Sequence, residues 1–207
     1  MRRIAIALAA LTAFAAPAHS AVVFSDNFDS ENGGASALNY TGFANFTVVG
    51  GVDLVKSGDY SITCSGMCVD LDGTPGAGSL VSNVFNYKAG DKITLSFSVG
   101  GSQRVVGSDE FAAFIISSSD GIFGGSAVIP SSLAFTPSSV DFVASADGQL
   151  QFVFTTSSAD KIGPLLDDIS LDISGVVPEP ATWALMIAGF AVAGLQMRRR
   201  KATLSFA

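Results

Sequence analysis

The sequence predicts an all-β fold, an antiparallel β-sandwich, and three observations carry that reading. Apolar residues recur at every second position: Ile93, Leu95, Phe97 and Val99 around Thr94, Ser96 and Ser98; Leu150, Phe152 and Phe154 around Gln151 and Val153; Ile169, Leu171 and Ile173 around Ser170 and Asp172. Turn-forming residues break the chain at short intervals, and no stretch within 21–177 carries a helical period. A strand that alternates in this way has one apolar face, which a second sheet must cover. Many short strands joined by Gly-rich turns therefore point to a sandwich of the jelly-roll kind.

Taken in order, the chain opens with a secretory leader. Arg2 and Arg3 precede an apolar run over 4–16, and Ala18-His19-Ser20 supplies the small-residue exit. Cleavage is expected between Ser20 and Ala21, making 1–20 the signal peptide. Its apolar run of thirteen residues is shorter than the ~20 needed to span a bilayer. The sandwich then occupies 21–177. Besides the three alternating runs, strands are expected over 46–49, 60–63, 68–71, 80–87, 111–117 and 140–143. Turns are expected at Gly50-Gly51, Gly58-Asp59, Asp72-Gly73-Thr74-Pro75-Gly76, Ala89-Gly90-Asp91, Gly100-Gly101 and Asp147-Gly148. The many phenylalanines fall at alternating positions, as core residues do.

The tail, 178–207, has a different character. Pro178-Glu179-Pro180 resists helix, an apolar run covers 181–197, and Arg198, Arg199, Arg200 and Lys201 follow. As a helix the run is roughly 25 Å long, slightly under the ~30 Å hydrocarbon core, and snorkelling arginines can make up the difference. A transmembrane helix over 181–197 is expected, with Trp183 at its outer boundary and the basic cluster on the cytoplasmic side.

Composition excludes whole classes of function. Between 21 and 177 there are 17 acidic and 5 basic residues, a net charge of −12. Such a surface repels phosphate backbones, so no nucleic-acid partner is expected. The one histidine, His19, lies in the leader. A mature chain without histidine has no Ser-His-Asp or Cys-His machinery and no His-built zinc site. The two cysteines, Cys64 and Cys68, are separated by Ser-Gly-Met and should form a disulfide outside the cytoplasm.

Other motifs fail on inspection. Asp70-Leu71-Asp72-Gly73 resembles the start of an EF-hand loop, but Pro75 stands where its glycine belongs and Val81 where its bidentate Glu belongs. The glycines around Gly76-Ala77-Gly78-Ser79 lack the following Lys and helix of a phosphate cradle, and no nucleophile elbow occurs. An all-carboxylate hydrolase would need a fixed acid pair, and Glu31 and Glu110 are the only glutamates of the domain. Arg104, the domain's only arginine, is read as tied to a neighbouring aspartate, with an acidic sugar as the alternative.

Pro178-Glu179-Pro180, Trp183-Ala184, Met186-Ile187, Gly189-Phe190, Gly194 and the cluster Arg198-Arg199-Arg200 together resemble the PEP-CTERM sorting signal in its PEPxxWA form. One departure is Ala191, where many members have glycine. The resemblance implies recognition by an exosortase-type membrane protease, processing near the triplet, and a bacterium with an outer membrane that makes exopolysaccharide. Strings within the sandwich, among them Val69-Asp70-Leu71-Asp72-Gly73, Gly101-Ser102-Gln103-Arg104 and Gly163-Pro164-Leu165-Leu166-Asp167-Asp168, resemble an ectodomain that recurs with this signal. The last also resembles the closing strand of carbohydrate-binding jelly rolls. That likeness implies a structural calcium held by Asp29 and Asp168.

The expectation is a non-catalytic exported protein. It is first anchored in the inner membrane with a cytoplasmic C-terminus, then delivered to the cell surface or extracellular matrix beside exopolysaccharide. A carbohydrate-binding module for one defined glycan is the alternative.

Overall fold

The computed structural model describes residues 22–104, 109–158, 160–175 and 180–199. They form two units, a sandwich within Ser20–Val176 and, separately, the C-terminal helix.

The sandwich strands are β1 (Val22–Asp26), β2 (Phe46–Gly50), β3 (Asp53–Lys56), β4 (Met67–Asp70), β5 (Asp72–Gly73), β6 (Gly76–Ser82), β7 (Phe85–Tyr87), β8 (Lys92–Gly100), β9 (Asp109–Ser118), β10 (Gly121–Pro130), β11 (Thr136–Val143), β12 (Gly148–Thr155) and β13 (Leu165–Ser174). One sheet runs β11-β8-β13-β4-β3, with β1 also on β13; the other runs β10-β9-β12-β6-β2, with β7 on β12 and β5 on β6. Every pairing is antiparallel. The all-β antiparallel sandwich is as the sequence predicts.

The three alternating runs lie at the centre of these sheets because each has one face to hide. Ile93, Leu95 and Phe97 of β8 and Ile169 and Leu171 of β13 are buried from one sheet, and Leu150, Phe152 and Phe154 of β12 from the other. Phe97 meets Phe154 across the gap with ring centroids 4.9 Å apart, and Phe152 takes Phe24, Phe46 and Phe85 around it. These contacts, edge-to-face except for the parallel Phe85–Phe152 stack, add to the area they remove from water.

Three local outcomes differ from expectation. The segment 60–63 is not a strand: Tyr60 and Ser61 take φ of 50° and 63°, so the chain turns through a short 3-10 segment at Asp59–Ser61. Ile62 is thereby driven under the loop, where it packs with Val55, Cys68 and Leu165 on the outer side of the sheet. The run 80–87 divides into β6 and β7 at Asn83-Val84. Strands β1, β3 and β10 lie where no alternation was evident.

Strands β1 and β13 are neighbours, with Ser25 opposite Ser170 and Asp26 opposite Ile169. The chain therefore enters and leaves the sandwich at one end. In the separate unit the helix α1 spans Pro180–Arg199.

Candidate functional site

The disulfide forms as expected. Cys64 and Cys68 are bonded with Cα atoms 6.2 Å apart, closing the loop that Ile62 anchors.

The acidic strings of the sandwich turn out to be structural staples. Asp70 is fully buried; its Oδ1 accepts from the amides of Asp72 (3.0 Å) and Gly163 (2.9 Å), and its Oδ2 pairs with Arg104. Asp72, also buried, accepts from Lys161 N at 2.8 Å through Oδ2. Asp53 accepts from the amides of Asn39 (2.6 Å) and Thr74 (3.0 Å). Val69-Asp70-Leu71-Asp72-Gly73 and Gly163-Pro164 are thus brought together, and a side chain at Gly163 would collide with Asp70. Beside them Gln103 grips the disulfide loop, accepting from Thr63 N (3.0 Å) and donating to Thr63 O (2.9 Å). Burial pushes the Asp70 carboxyl up to about 7 against the opposing pull of Arg104 and the two amides. Arg104 therefore serves a protein carboxylate. Buried Asp72 Oδ1, Ser102 Oγ and Arg104 Nε have no hydrogen-bond partner among the described residues.

Asp29 follows the last residue of β1, and Asp168 lies beside the Asp26–Ile169 pair, at the opposite end of β1 from Val22 and Asp172 where the chain enters and leaves. Asp29 Oδ1 accepts from Met67 N at 2.8 Å, and Oδ2 from Asn27 Nδ2 at 2.8 Å. Asp168 takes φ 50° at a bulge in β13, between the Asp167 and Ser170 pairings with β8, which turns it outward. Its neighbour Asp167 is the buried one, a distinction that the string Asp167-Asp168 does not carry. Burial, then the charges of Asp168 and Asp29, raise the Asp167 carboxyl to about 7, against the amide hydrogen bonds of Asp168 and Ser65. A calcium cage needs six or more oxygens. Among the described residues no group of three or more His, Cys, Asp or Glu side chains is placed to hold a metal. The carboxylates as arranged are short of such a cage.

Asp168 instead lines a polar groove of about 480 Å³ with Ser25, Asp26, Asn27, Asn45 and Ser170. Asn45 Nδ2 donates to Asp26 Oδ2 at 2.9 Å across its floor. The groove offers hydroxyl, amide and carboxylate groups, the donors and acceptors that hydroxylated ligands use. A second cavity, apolar and about 410 Å³, lies between the sheets where Phe97, Val99, Phe114, Ile129 and Leu166 face small residues at Ala112, Gly125 and Ala127.

For the tail, Pro178, Glu179 and Arg200 lie outside the described residues, as do Ser20 and Ala21 of the expected signal cleavage. Pro180 corrects one expectation: it is the first residue of the helix, not part of an extended segment before it. A first-turn amide has no helical acceptor, so proline loses nothing there. Trp183, Arg198 and Arg199 belong to the helix, as do Gly189 and Phe190. Met186, Ile187, Phe190, Val192 and Leu195 are all more than half exposed. Among the described residues no helix is long and apolar enough to cross a membrane, and the side chains described in α1 are those of 186–195, well inside the expected span of 181–197.

Comparison with known proteins first defines the class of fold. The sandwich is similar to the CBM22-1 xylan-binding domain of Xyn10C from Paenibacillus barcinonensis, with a TM-score of 0.50 at 14% identity over 78% of this chain and 100% of that one. Looser likenesses include TmCBM61 in complex with β-1,4-galactotriose (TM-score 0.46, 17% identity, 62% of this chain and 88% of that one). Another is the C-terminal CBM6 of LamC from Zobellia galactanivorans (0.42, 13%, 67% and 99%). At these identities the likeness concerns the fold, a jelly roll of the carbohydrate-binding-module kind. The tail is more specific: residues 176–201 match the family model of the PEP-CTERM protein-sorting motif. The chain carries that motif. The comparison with curated proteins found no match.

Proposed function

We propose that this is a non-catalytic protein exported through the inner membrane, processed by an exosortase-type protease, and delivered to the cell surface or an exopolysaccharide matrix. The sorting motif at 176–201 is the observation that carries the reading. In this account 181–197 holds the chain in the membrane, with Arg198, Arg199 and Arg200 on the cytoplasmic side. Pro178-Glu179-Pro180 meets the protease on the outer side of the membrane. The lack of histidine beyond His19 supports a role without catalysis. Replacing Pro178, Glu179 and Pro180 by alanine in the producing cell tests this. The full-length chain should then accumulate in the inner-membrane fraction. Processing and delivery at the unsubstituted level would overturn the reading.

A second reading, a carbohydrate-binding module for one glycan, is favoured by the polar groove beside β1 and β13. The fold likeness to a xylan-binding domain is compatible with it. Saturable binding to a single glycan class on an array, lost in Asn45→Ala, supports this second role; no saturable binding leaves the matrix role alone. The structural calcium also belongs to the proposal. Asp29 and Asp168 would hold it only with backbone or water oxygens completing the shell. A melting temperature unchanged by a chelator would remove it.

A further inference from the structure

The strand β10 ends its sheet: among the described residues it pairs with β9 alone, over its whole length from Gly121 to Pro130. Ser118 and Gly121 face each other across the two-residue turn Ser119-Asp120, so they form the first hydrogen-bonded pair of the hairpin. Ser119 N donates the other way, to Gln149 O on β12 at 3.1 Å, which fixes the phase. Odd-numbered β10 residues therefore spend their amides and carbonyls on β9. Ile122, Gly124, Ser126 and Val128 direct theirs to the open edge.

Side chains follow the same phase. Phe123 faces inward and stacks on Phe142 of the opposite sheet with centroids 4.1 Å apart, and Ile129 is buried. Ile122 and Val128 face outward at 78% and 61% exposure, and Ile122 is the most exposed large apolar side chain among the described residues. Next to them on β9, Phe111 lies opposite Val128 and Ile115 opposite Gly124, both partly exposed. Proteins blunt such edges with charge, proline or brevity. The other edges follow that rule: β11 carries Pro137 and Asp141, β3 carries Asp53 and Lys56, and β2 is five residues long. The ten residues of β10 carry no charge, and its one proline is at the far end. The strand is also pre-formed. Asp120 at the hairpin tip accepts from the Ser145 amide and hydroxyl, and its amide donates to the Tyr87 hydroxyl at 3.2 Å.

We propose that β10 is the interface through which two copies of this chain pair, antiparallel about a two-fold axis at Gly125, joining their seven-stranded sheets edge to edge. The strand's own order selects a second copy as the occupant. With Gly125 on the axis, Ile122 faces Val128 of the other copy and Gly124 faces Ser126, and each such pair exchanges two backbone hydrogen bonds. The two exposed aliphatic side chains cover each other at both ends of the contact, and the smallest residues lie at its centre. A domain of net charge −12 approaches its copy at least cost where the surface is uncharged.

The full chain in detergent, with Ile122→Cys and Val128→Cys together, tests both pairing and register. Mild oxidation should link the double variant into a dimer at least about tenfold faster than either single variant, because residue 122 is distant from its own counterpart in this register. Single variants that cross-link as fast as the double would overturn the proposal. Ile122→Lys should weaken the dimer of the otherwise unsubstituted chain by about tenfold or more, while the melting temperature of the chain diluted to monomer stays unchanged. A chain that sediments as a monomer at about 100 μM, or a dimer indifferent to Ile122→Lys and so held by another surface such as α1, would equally overturn it.

Discussion

Asp167 shows how a single buried carboxyl couples this domain to pH. Its ordinary value is 3.8 and its folded value is about 7, raised first by burial and then by Asp168 and Asp29. Below pH 3.8 the group is protonated folded or unfolded. Between there and about 7 only the folded state holds the proton, so stability falls as pH rises through that window and the loss is complete above it. Asp70 acts in the same direction over the same range. In calcium-free buffer, Asp167→Asn, a neutral side chain of the same shape, should therefore raise the melting temperature at pH 8 by a few degrees and flatten its decline between pH 5 and 8. An unaltered pH profile in that variant would contradict the account. None of this was legible in the chain. Asp167-Asp168 reads as a pair, and only the bulge in β13 decides which member is buried and which is turned outward.

Elements were legible to the extent that they have one wet face. β8 and β12 alternate because one side of each faces the other sheet, and their pattern appears directly in the residues. β4 is buried on both sides, under the core on one and the Ile62 loop on the other, so its alternation is faint. β10 has almost no pattern: glycines and small residues fill both faces of an edge strand, and its order comes from pairing with β9. The segment 60–63 has strand-like composition, but left-handed Tyr60 and Ser61 convert it into a loop that leads directly into the Cys64–Cys68 ring. Opening so short a ring costs about 2 kcal/mol by the loop-entropy relation. Replacing both cysteines by serine should lower the unfolding free energy by about that amount, read from denaturant titration. A change below about 0.5 kcal/mol would mean the Ile62 cluster and the Gln103 clamp hold the loop alone.

At the scale of the molecule, the charge, the paired ends and the tail agree. The sandwich is an acidic body entered and left at one end, where β1 lies against β13. Such a body suits attachment by a single tether, and the PEP-CTERM motif follows it directly in the chain. The sorting motif was readable from the residues because recognition by a protease acts on linear sequence near a membrane. The groove of Ser25, Asp26, Asn45 and Asp168 was not, because its members lie far apart along the chain and meet only when the sandwich closes. Mass spectrometry of the protein as its own cell delivers it reads both termini. The mature chain should begin at Ala21 and end near Pro178-Glu179-Pro180, without 181–207. A chain that retains Ala207 and stays in the inner membrane would contradict the proposed sorting.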